Sequence, residues 1–148
     1  MNKMVAWGGM LALLIALSWG SSLAHGTGDH SHSNQPKGQE EAFDWLGLVD
    51  AGNYDASWER AGAPFKSQIT RDKWSLTIVS VREPLGGLIQ RRLFHDRVAG
   101  TLPGMPDGRY LIIRYKTKFE KKISAIETVT LVHGPEDNTW RVIGYFIK

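Results

Sequence analysis

The stretch that decides the fold is IETVTLVHGPEDNTWRVIGYFIK, which runs from Ile126 to Lys148 at the end of the chain. Threonines alternate with Val129 and Leu131 in its first half. In its second half, from Trp140 onward, apolar side chains occur at both odd- and even-numbered positions. A turn-forming Gly-Pro-Glu-Asp-Asn segment separates the halves. This pattern predicts a closing antiparallel hairpin. Because its second strand is apolar at both parities, we expect both faces to be covered, as in a central strand or one beneath helices.

Two further strands are predicted upstream of this hairpin. Residues 88–99, LIQRRLFHDRVA, form the first, and residues 109–119 form the clearest one. Within 109–119 the apolar side chains point one way and the basic ones the other: Leu111, Ile113, Tyr115 and Phe119 against Arg114, Lys116 and Lys118. Such alternation predicts one face in the core and one in water. A loop with two prolines and two glycines, residues 101–108, joins the two strands.

Three amphipathic helices are predicted before the strands. Apolar residues recur at helical spacing over residues 40–50, after Asn53, and over residues 70–81. Gly62-Ala63-Pro64 is expected to stop the second helix. Each helix carries one tryptophan (positions 45, 58 and 74), which indicates an aromatic core rather than a cofactor site. The order predicts one α+β domain, residues 40–148, with N-terminal helices packed on a four-stranded, bent antiparallel sheet.

Residues 1–24 have the pattern of an export signal. Lys3 is followed by an apolar run over residues 4–17 and by the small-residue ending Ser22-Leu23-Ala24. This pattern predicts cleavage before His25 and a periplasmic protein without a stable membrane span. A retained anchor is the rival interpretation, because the apolar run approaches the length of a short span. The polar, small ending favours cleavage.

Residues 25–39, HGTGDHSHSNQPKGQ, are predicted to form a flexible leader because they lack apolar periodicity. His25, His30 and His32 could bind a divalent metal as neutral imidazoles. Ordering so flexible a segment is costly, so any such site should be weak. The favoured interpretation is a soluble tether, and no cofactor is predicted.

Composition excludes several classes of protein. A chain of 148 residues with 42% hydrophobic and 22% charged residues suits one globular domain. It has no cysteine, which excludes disulfides, thiol catalysis and cysteine-ligated zinc. The net charge of +3 is mild, whereas nucleic-acid binders concentrate more basic charge. No nucleic-acid partner is therefore predicted.

A set of aromatic, glycine, proline and charged positions spread along the domain carries a family resemblance. They are Trp45-Leu46, Val49-Asp50-Ala51-Gly52, Tyr54, Ser57-Trp58, Phe65-Lys66, Trp74, Arg82, Pro84-Leu85-Gly86, Leu102-Pro103-Gly104, Asp107-Gly108, Tyr110, Tyr115, Glu127-Thr128-Val129-Thr130, Trp140-Arg141-Val142 and Gly144-Tyr145. Together they resemble the bacterial exported family known as domain of unknown function 4019. The order of helices and strands is also similar to nuclear-transport-factor-2-like and cystatin-like folds, which host both enzymes and binders. The resemblance implies no particular activity.

Arg114, Lys116 and Lys118 are the candidate binding residues. They share one strand face and could bind an anionic ligand, a partner or lipid headgroups. An ordinary solvated sheet face is the alternative. Glu127 occupies the same alternating set of strand positions as Val129 and Leu131, so we expect its carboxylate to face the core. A buried carboxylate needs a partner, which an arginine from the first strand could supply.

The sequence contains no catalytic motif. His95 and Asp96 are adjacent on a strand, so they should point to opposite faces. There is no glycine-rich phosphate loop, serine elbow or two-histidine metal helix. The sequence therefore predicts a non-catalytic module that binds an envelope protein or a small ligand through its sheet face and the 102–108 loop. A small-pocket enzyme and weak metal handling through the leader histidines are the alternatives.

Overall fold

The computed structural model describes residues 35–148. The helical elements are α1 (Gln35–Asp50), α2 (Tyr54–Arg60), α3 (Ala63–Gln68), α4 (Arg71–Arg82) and a 3-10 turn (Glu83–Leu85). The strands are β1 (Leu88–Ala99), β2 (Tyr110–Phe119), β3 (Lys122–Gly134) and β4 (Thr139–Ile147). The predicted signal peptide and the three leader histidines lie outside these residues. No helix within 35–148 is long and apolar enough to cross a membrane.

The four strands form one antiparallel sheet in the order β1-β2-β3-β4, so each strand pairs with its neighbour in the chain. The helices precede the sheet and pack on one of its faces, which we call the inner face; the opposite one is the outer face. The predicted α+β class and the closing β3–β4 hairpin are confirmed. Register shifts in β1 lie between Leu88 and Gln90 and between Leu93 and His95.

The helices differ from the sequence prediction at two places. Helix α1 begins at Gln35, so its first turn falls within the stretch predicted to be a leader. Helix α2 ends at Arg60, before Gly62-Ala63-Pro64, as predicted, but an unpredicted helix follows at once, and Pro64 lies in the first turn of this helix, α3. That position suits proline, since the first turn of a helix needs no N–H donor there. Helix α4 begins as predicted, and the Thr70 side chain accepts a hydrogen bond from the Lys73 N–H at 3.4 Å.

The main core lies between the helices and the inner face. Trp45, Phe65 and Trp74 pack together, with ring centroids 5.9 Å apart for the two tryptophans and 4.9 Å apart for Phe65 and Trp74. Ser57 holds both indoles: its carbonyl accepts from Trp45 Nε1 at 2.8 Å, and its hydroxyl accepts from Trp74 Nε1 at 2.9 Å. Gly38 lies so close to Leu111 and Trp140 that an added Cβ would meet the Leu111 side chain at 2.5 Å.

A smaller core covers one end of the outer face. Leu102, from the loop between β1 and β2, packs with Tyr110, Ile112 and Ile143. The Tyr110 hydroxyl donates to the Pro106 carbonyl at 2.6 Å and fixes the loop. Strand β4 is thus covered on both faces near its start, as predicted. At its end the prediction is wrong, because Phe146 is 55% exposed on the outer face.

The two edges of the sheet differ. On the β4 side, the carbonyl of Val142 accepts a hydrogen bond from the Gly62 N–H at 2.8 Å, so the α2–α3 connection blocks this edge at Val142. On the β1 side, none of the backbone hydrogen bonds between residues 35–148 joins β1 to anything but β2. The twelve-residue strand β1 therefore leaves its outer edge open.

Candidate functional site

Two groups of polar side chains stand out, and the first is a buried ionic cluster on the inner face. Its charged members are Asp50, Arg82, Arg91 and Glu127. Asp50 and Arg82 are the last residues of α1 and α4, and Arg91 and Glu127 lie on β1 and β3. The cluster therefore joins the C-terminal ends of α1 and α4 to two strands of the sheet.

Glu127 is the centre of this cluster. Its Oε2 accepts from Arg91 Nε at 2.6 Å and from the Thr117 hydroxyl at 2.6 Å. Its Oε1 accepts from Arg91 Nη2 at 3.0 Å and from the Tyr145 hydroxyl at 2.5 Å. Arg91 thus forms a bidentate pair, the geometry that makes arginine–carboxylate bonds strong.

Asp50 completes the cluster by bridging the two arginines. Arg91 Nη1 and Nη2 donate to its two oxygens at 2.6 and 3.0 Å, and Arg82 Nη2 donates to its Oδ1 at 2.7 Å. The Arg82 guanidinium also lies 4.6 Å from the centre of the Phe119 ring. Two cations and two carboxylates leave the cluster electrically balanced, which burial requires.

Burial shifts the pKa values of the groups in and beside this cluster. Burial lowers the pKa of Arg91, but the hydrogen bonds to Asp50 and Glu127 outweigh it, so the pKa of Arg91 is raised. Burial, followed by the negative charge of Glu127, raises the pKa of the Tyr145 hydroxyl well above its ordinary value. Arg91 is therefore charged and the Tyr145 hydroxyl is neutral at pH 7.

The cluster has the features of an ion-pair network that links elements of the fold rather than of a catalytic centre. Glu127 is fully buried, and all buried side-chain polar atoms of residues 35–148 have hydrogen-bond partners. A general acid or base must instead reach a substrate within hydrogen-bond distance. Asp50 and Arg82 do line an open depression of about 150 Å³, next to Gly86 and Gly87. Their polar atoms face each other and Arg91, so they are already engaged.

The second group is a basic patch on the outer face, where the predicted residues lie. Arg114, Lys116 and Lys118 are all exposed and point outward from β2. Pairing with β1 brings a fourth exposed cation beside them, because Arg92 is the direct cross-strand partner of Lys116. We call these four residues the basic face. Alternation along β2 predicted the first three on one face, and the register adds Arg92 of β1 directly opposite Lys116.

The basic face has no acidic counterpart. None of the outward positions that the register assigns to β1–β4 is Asp or Glu. None of the ion pairs within residues 35–148 involves a residue of the basic face. Arg92 and Lys116 are like charges in directly opposed positions, an arrangement that destabilises a sheet. The fold itself therefore does not account for this concentration of charge.

The sequence also led to predictions for His95, Asp96 and Glu127. His95 lies on the outer face opposite Arg114, whereas Asp96 points inward and accepts from Gln39 Nε2 at 2.6 Å, so the prediction that these neighbours point to opposite faces is confirmed. The predicted pairing of Glu127 with a β1 arginine is also confirmed. Among residues 35–148, no three His, Cys, Asp or Glu side chains are arranged to hold a metal ion.

Comparison with protein families identifies a match to most of the described residues. The sequence model of a family described as protein of unknown function, DUF4019, matches residues 41–145. The match includes all the charged members of the ionic cluster and of the basic face. No curated protein matches the chain.

Proposed function

The chain belongs to the DUF4019 family, as its residues predicted, and because that family is described only as one of unknown function, we propose a function from the geometry alone. The protein is an exported, non-catalytic binding module, and its basic face recognises an anionic partner in the cell envelope. The ionic cluster holds the sheet and the helices together so that this face is rigid.

One observation carries the proposal: the four exposed cations of the basic face lie together on the outer face, and none of them forms an ion pair with a carboxylate of residues 35–148. A charge arrangement that costs stability and is not neutralised within the fold is best explained by a partner of opposite sign. The sheet half of the chain, residues 88–148, carries eleven Lys and Arg against six Asp and Glu, whereas residues 35–87 carry six against eight. The positive potential is therefore concentrated on the sheet.

The loop between β1 and β2 borders the proposed binding site at one end of the outer face. Its apolar residues, Leu102 and Met105, pack on the sheet, while Pro103, Gly104 and Asp107 are exposed. The bond from the Gly108 N–H to the Gly100 carbonyl, 2.9 Å long, closes the base of the loop. A rigid rim of this kind supports binding, since little conformational entropy is lost when a partner docks.

Export rests on the pattern in residues 1–24 and has its own test. Mass spectrometry of the protein recovered from the envelope fraction should find His25 at the N-terminus. An intact Met1 on the envelope protein would contradict cleavage, and recovery from the cytoplasm alone would contradict export.

A soluble polyanion tests the binding function directly. The probe is fluorescently labelled inorganic polyphosphate, titrated with the mature protein at low salt. Replacing Arg114, Lys116 and Lys118 with Gln should weaken binding by about tenfold or more, because three cations leave the site. The matched control replaces Lys37, Arg71 and Lys73, exposed cations of the helical layer, with Gln, and it should bind as the wild type does.

Both variants lose three positive charges, so a difference in their polyphosphate binding reports where the charges lie on the protein rather than how many there are. Equal weakening in both would mean that only total charge matters and that the basic face is not a site. Unchanged binding in the first variant would make the outer face an ordinary solvated surface.

A further inference from the structure

We infer that the anionic partner is a phospholipid surface, and that the outer face lies flat against it. This inference rests on the proposed function, because it names the partner of the same face. It is carried by a second feature of that face, namely exposed aromatic side chains placed among the cations.

Phe94 and Phe146 are these aromatic side chains, exposed by 51% and 55%. Phe94 lies at the register shift in β1, and the Lys116 ammonium sits 4.1 Å from the centre of its ring, which places the ring on the outer face. Phe146 reaches the same face from β4, where it is paired with Thr128. Thr128 is in turn paired with Arg114.

The pairing thus sets one row across all four strands: His95, Arg114, Thr128 and Phe146. The next row contains Arg92 and Lys116. With neighbouring strands about 4.8 Å apart, the cations of β1 and β2 and the phenylalanine of β4 spread over roughly 15 Å. A site for one phosphate group would be compact and concave, whereas this one is broad and lies on a sheet face.

The combination of cations with exposed aromatic rings favours lipid over a soluble polyanion. Cations attract the headgroups by about fivefold in affinity for each Lys or Arg near the surface. Phenylalanine gains nothing from polyphosphate, but it gains affinity when it enters the apolar boundary beneath the headgroups. Lys and Arg can meanwhile keep their charged ends at the headgroup level while their stems lie along apolar surface.

The experiment measures sedimentation of the mature protein with vesicles. Vesicles containing phosphatidylglycerol should bind the protein, and vesicles of phosphatidylcholine alone should bind it weakly. Replacing both Phe94 and Phe146 with Ser should lower the partition coefficient by roughly tenfold or more, because two partly buried rings are lost from the contact. The same variant should bind polyphosphate as the wild type does.

Two further variants serve as controls. Phe43→Ser removes a more exposed ring, 64% exposed, from helix α1 and should leave vesicle binding unchanged. Phe146→Trp keeps an aromatic ring at the site, so it should bind vesicles and show a blue shift of emission when they are added. This variant tests the contact even if the double Ser replacement impairs folding.

The outcomes separate the two proposals. Binding to polyphosphate without binding to anionic vesicles would overturn the lipid inference and leave the proposed function standing. Vesicle binding that the Phe94 and Phe146 replacements do not weaken would also overturn it, since charge alone would then hold the protein. Failure to bind either probe would overturn both.

Discussion

The guanidinium of Arg91 and the carboxylate of Glu127 form a two-bond ion pair, 2.6 and 3.0 Å long, at a site where the two side chains are 5% and 0% exposed. The pair joins β1 to β3 across β2, since Thr117 of β2 donates to the same carboxylate. Its energetic importance lies less in the attraction than in the cost of leaving either partner alone in the core.

Glu127→Gln should therefore destabilise the domain by about 3–5 kcal/mol, because it leaves the Arg91 charge with Asp50 as its only full anion. Urea denaturation followed by circular dichroism measures this loss. Glu41→Gln is the control, since it breaks a surface pair with Arg60 and should cost about 1 kcal/mol or less. A loss below about 1 kcal/mol for Glu127→Gln would show that the cluster does not hold the fold together.

Trp140→Ala should cost about 3–5 kcal/mol, because Trp140 is 4% exposed and its removal leaves a cavity against α1. The urea midpoint again reports the change. Phe43→Ala, at a 64% exposed position, should change the free energy of unfolding by about 0.5 kcal/mol or less. Similar effects at the two positions would contradict the assignment of Trp140 to the core.

Stability should fall at alkaline pH partly through Tyr115. Burial, with a contribution from Glu127, raises the pKa of Tyr115 to about 12, against 10.0 for an ordinary tyrosine. Because the folded pKa lies above the unfolded one, the contribution is fully present below pH 10 and is lost as pH rises toward 12.

The measurement compares wild type with Tyr115→Phe by urea denaturation across this pH range, each relative to its own neutral-pH value. Since phenylalanine does not titrate, the variant should lose up to about 2–3 kcal/mol less than the wild type by pH 12. Parallel curves for the two proteins would rule out this role for Tyr115.

Lys116→Glu should separate stability from binding. The replacement puts a carboxylate directly across from Arg92, and a cross-strand pair of opposite charge stabilises the sheet by about 0.2–1 kcal/mol. It also removes the cation–π contact between Lys116 and Phe94. We expect the free energy of unfolding to change by less than about 1 kcal/mol and polyphosphate binding to weaken clearly. The matched control is the charge reversal Lys73→Glu on α4, which should leave polyphosphate binding near the wild-type level. If Lys73→Glu weakens binding as much as Lys116→Glu does, the position of the charge on the protein does not matter.

Truncation should locate the start of the domain. Removing residues 1–34 should leave the thermal midpoint unchanged, whereas removing residues 1–38 should lower it. The second truncation deletes the first turn of α1 and with it Gly38, which packs on Leu111 and Trp140. Equal midpoints for the two truncated proteins would mean that the first turn of α1 adds nothing to the fold.

The position of Glu127 shows how far the sequence could predict the site. Alternation along β3 was sufficient to place its carboxylate in the core, and burial then required a cationic partner. Two adjacent arginines on β1 were available, and the register shifts on either side of them decide that Arg91 points inward and Arg92 outward. Such irregularities leave no mark in a period-2 pattern.

Other parts of the site could not be predicted, for two different reasons. Asp50 and Arg82 end separate helices and are 32 positions apart, so only packing of the helical layer brings them together. Helix α3 has only six residues, too few for a recognisable period, and its proline was taken as a stop signal. The charges of the basic face, by contrast, were evident from alternation within a single strand.

The unequal edges of the sheet set a limit on how copies of this domain can associate through strand addition. Within residues 35–148, Gly62 blocks the β4 edge at Val142, whereas β1 offers an uninterrupted edge of twelve residues for this kind of contact. Pairing of one β1 with another would use this edge in both molecules and would form a pair of copies. Polymerisation into fibres by this route needs a second full-length edge, and the α2–α3 connection interrupts the β4 edge.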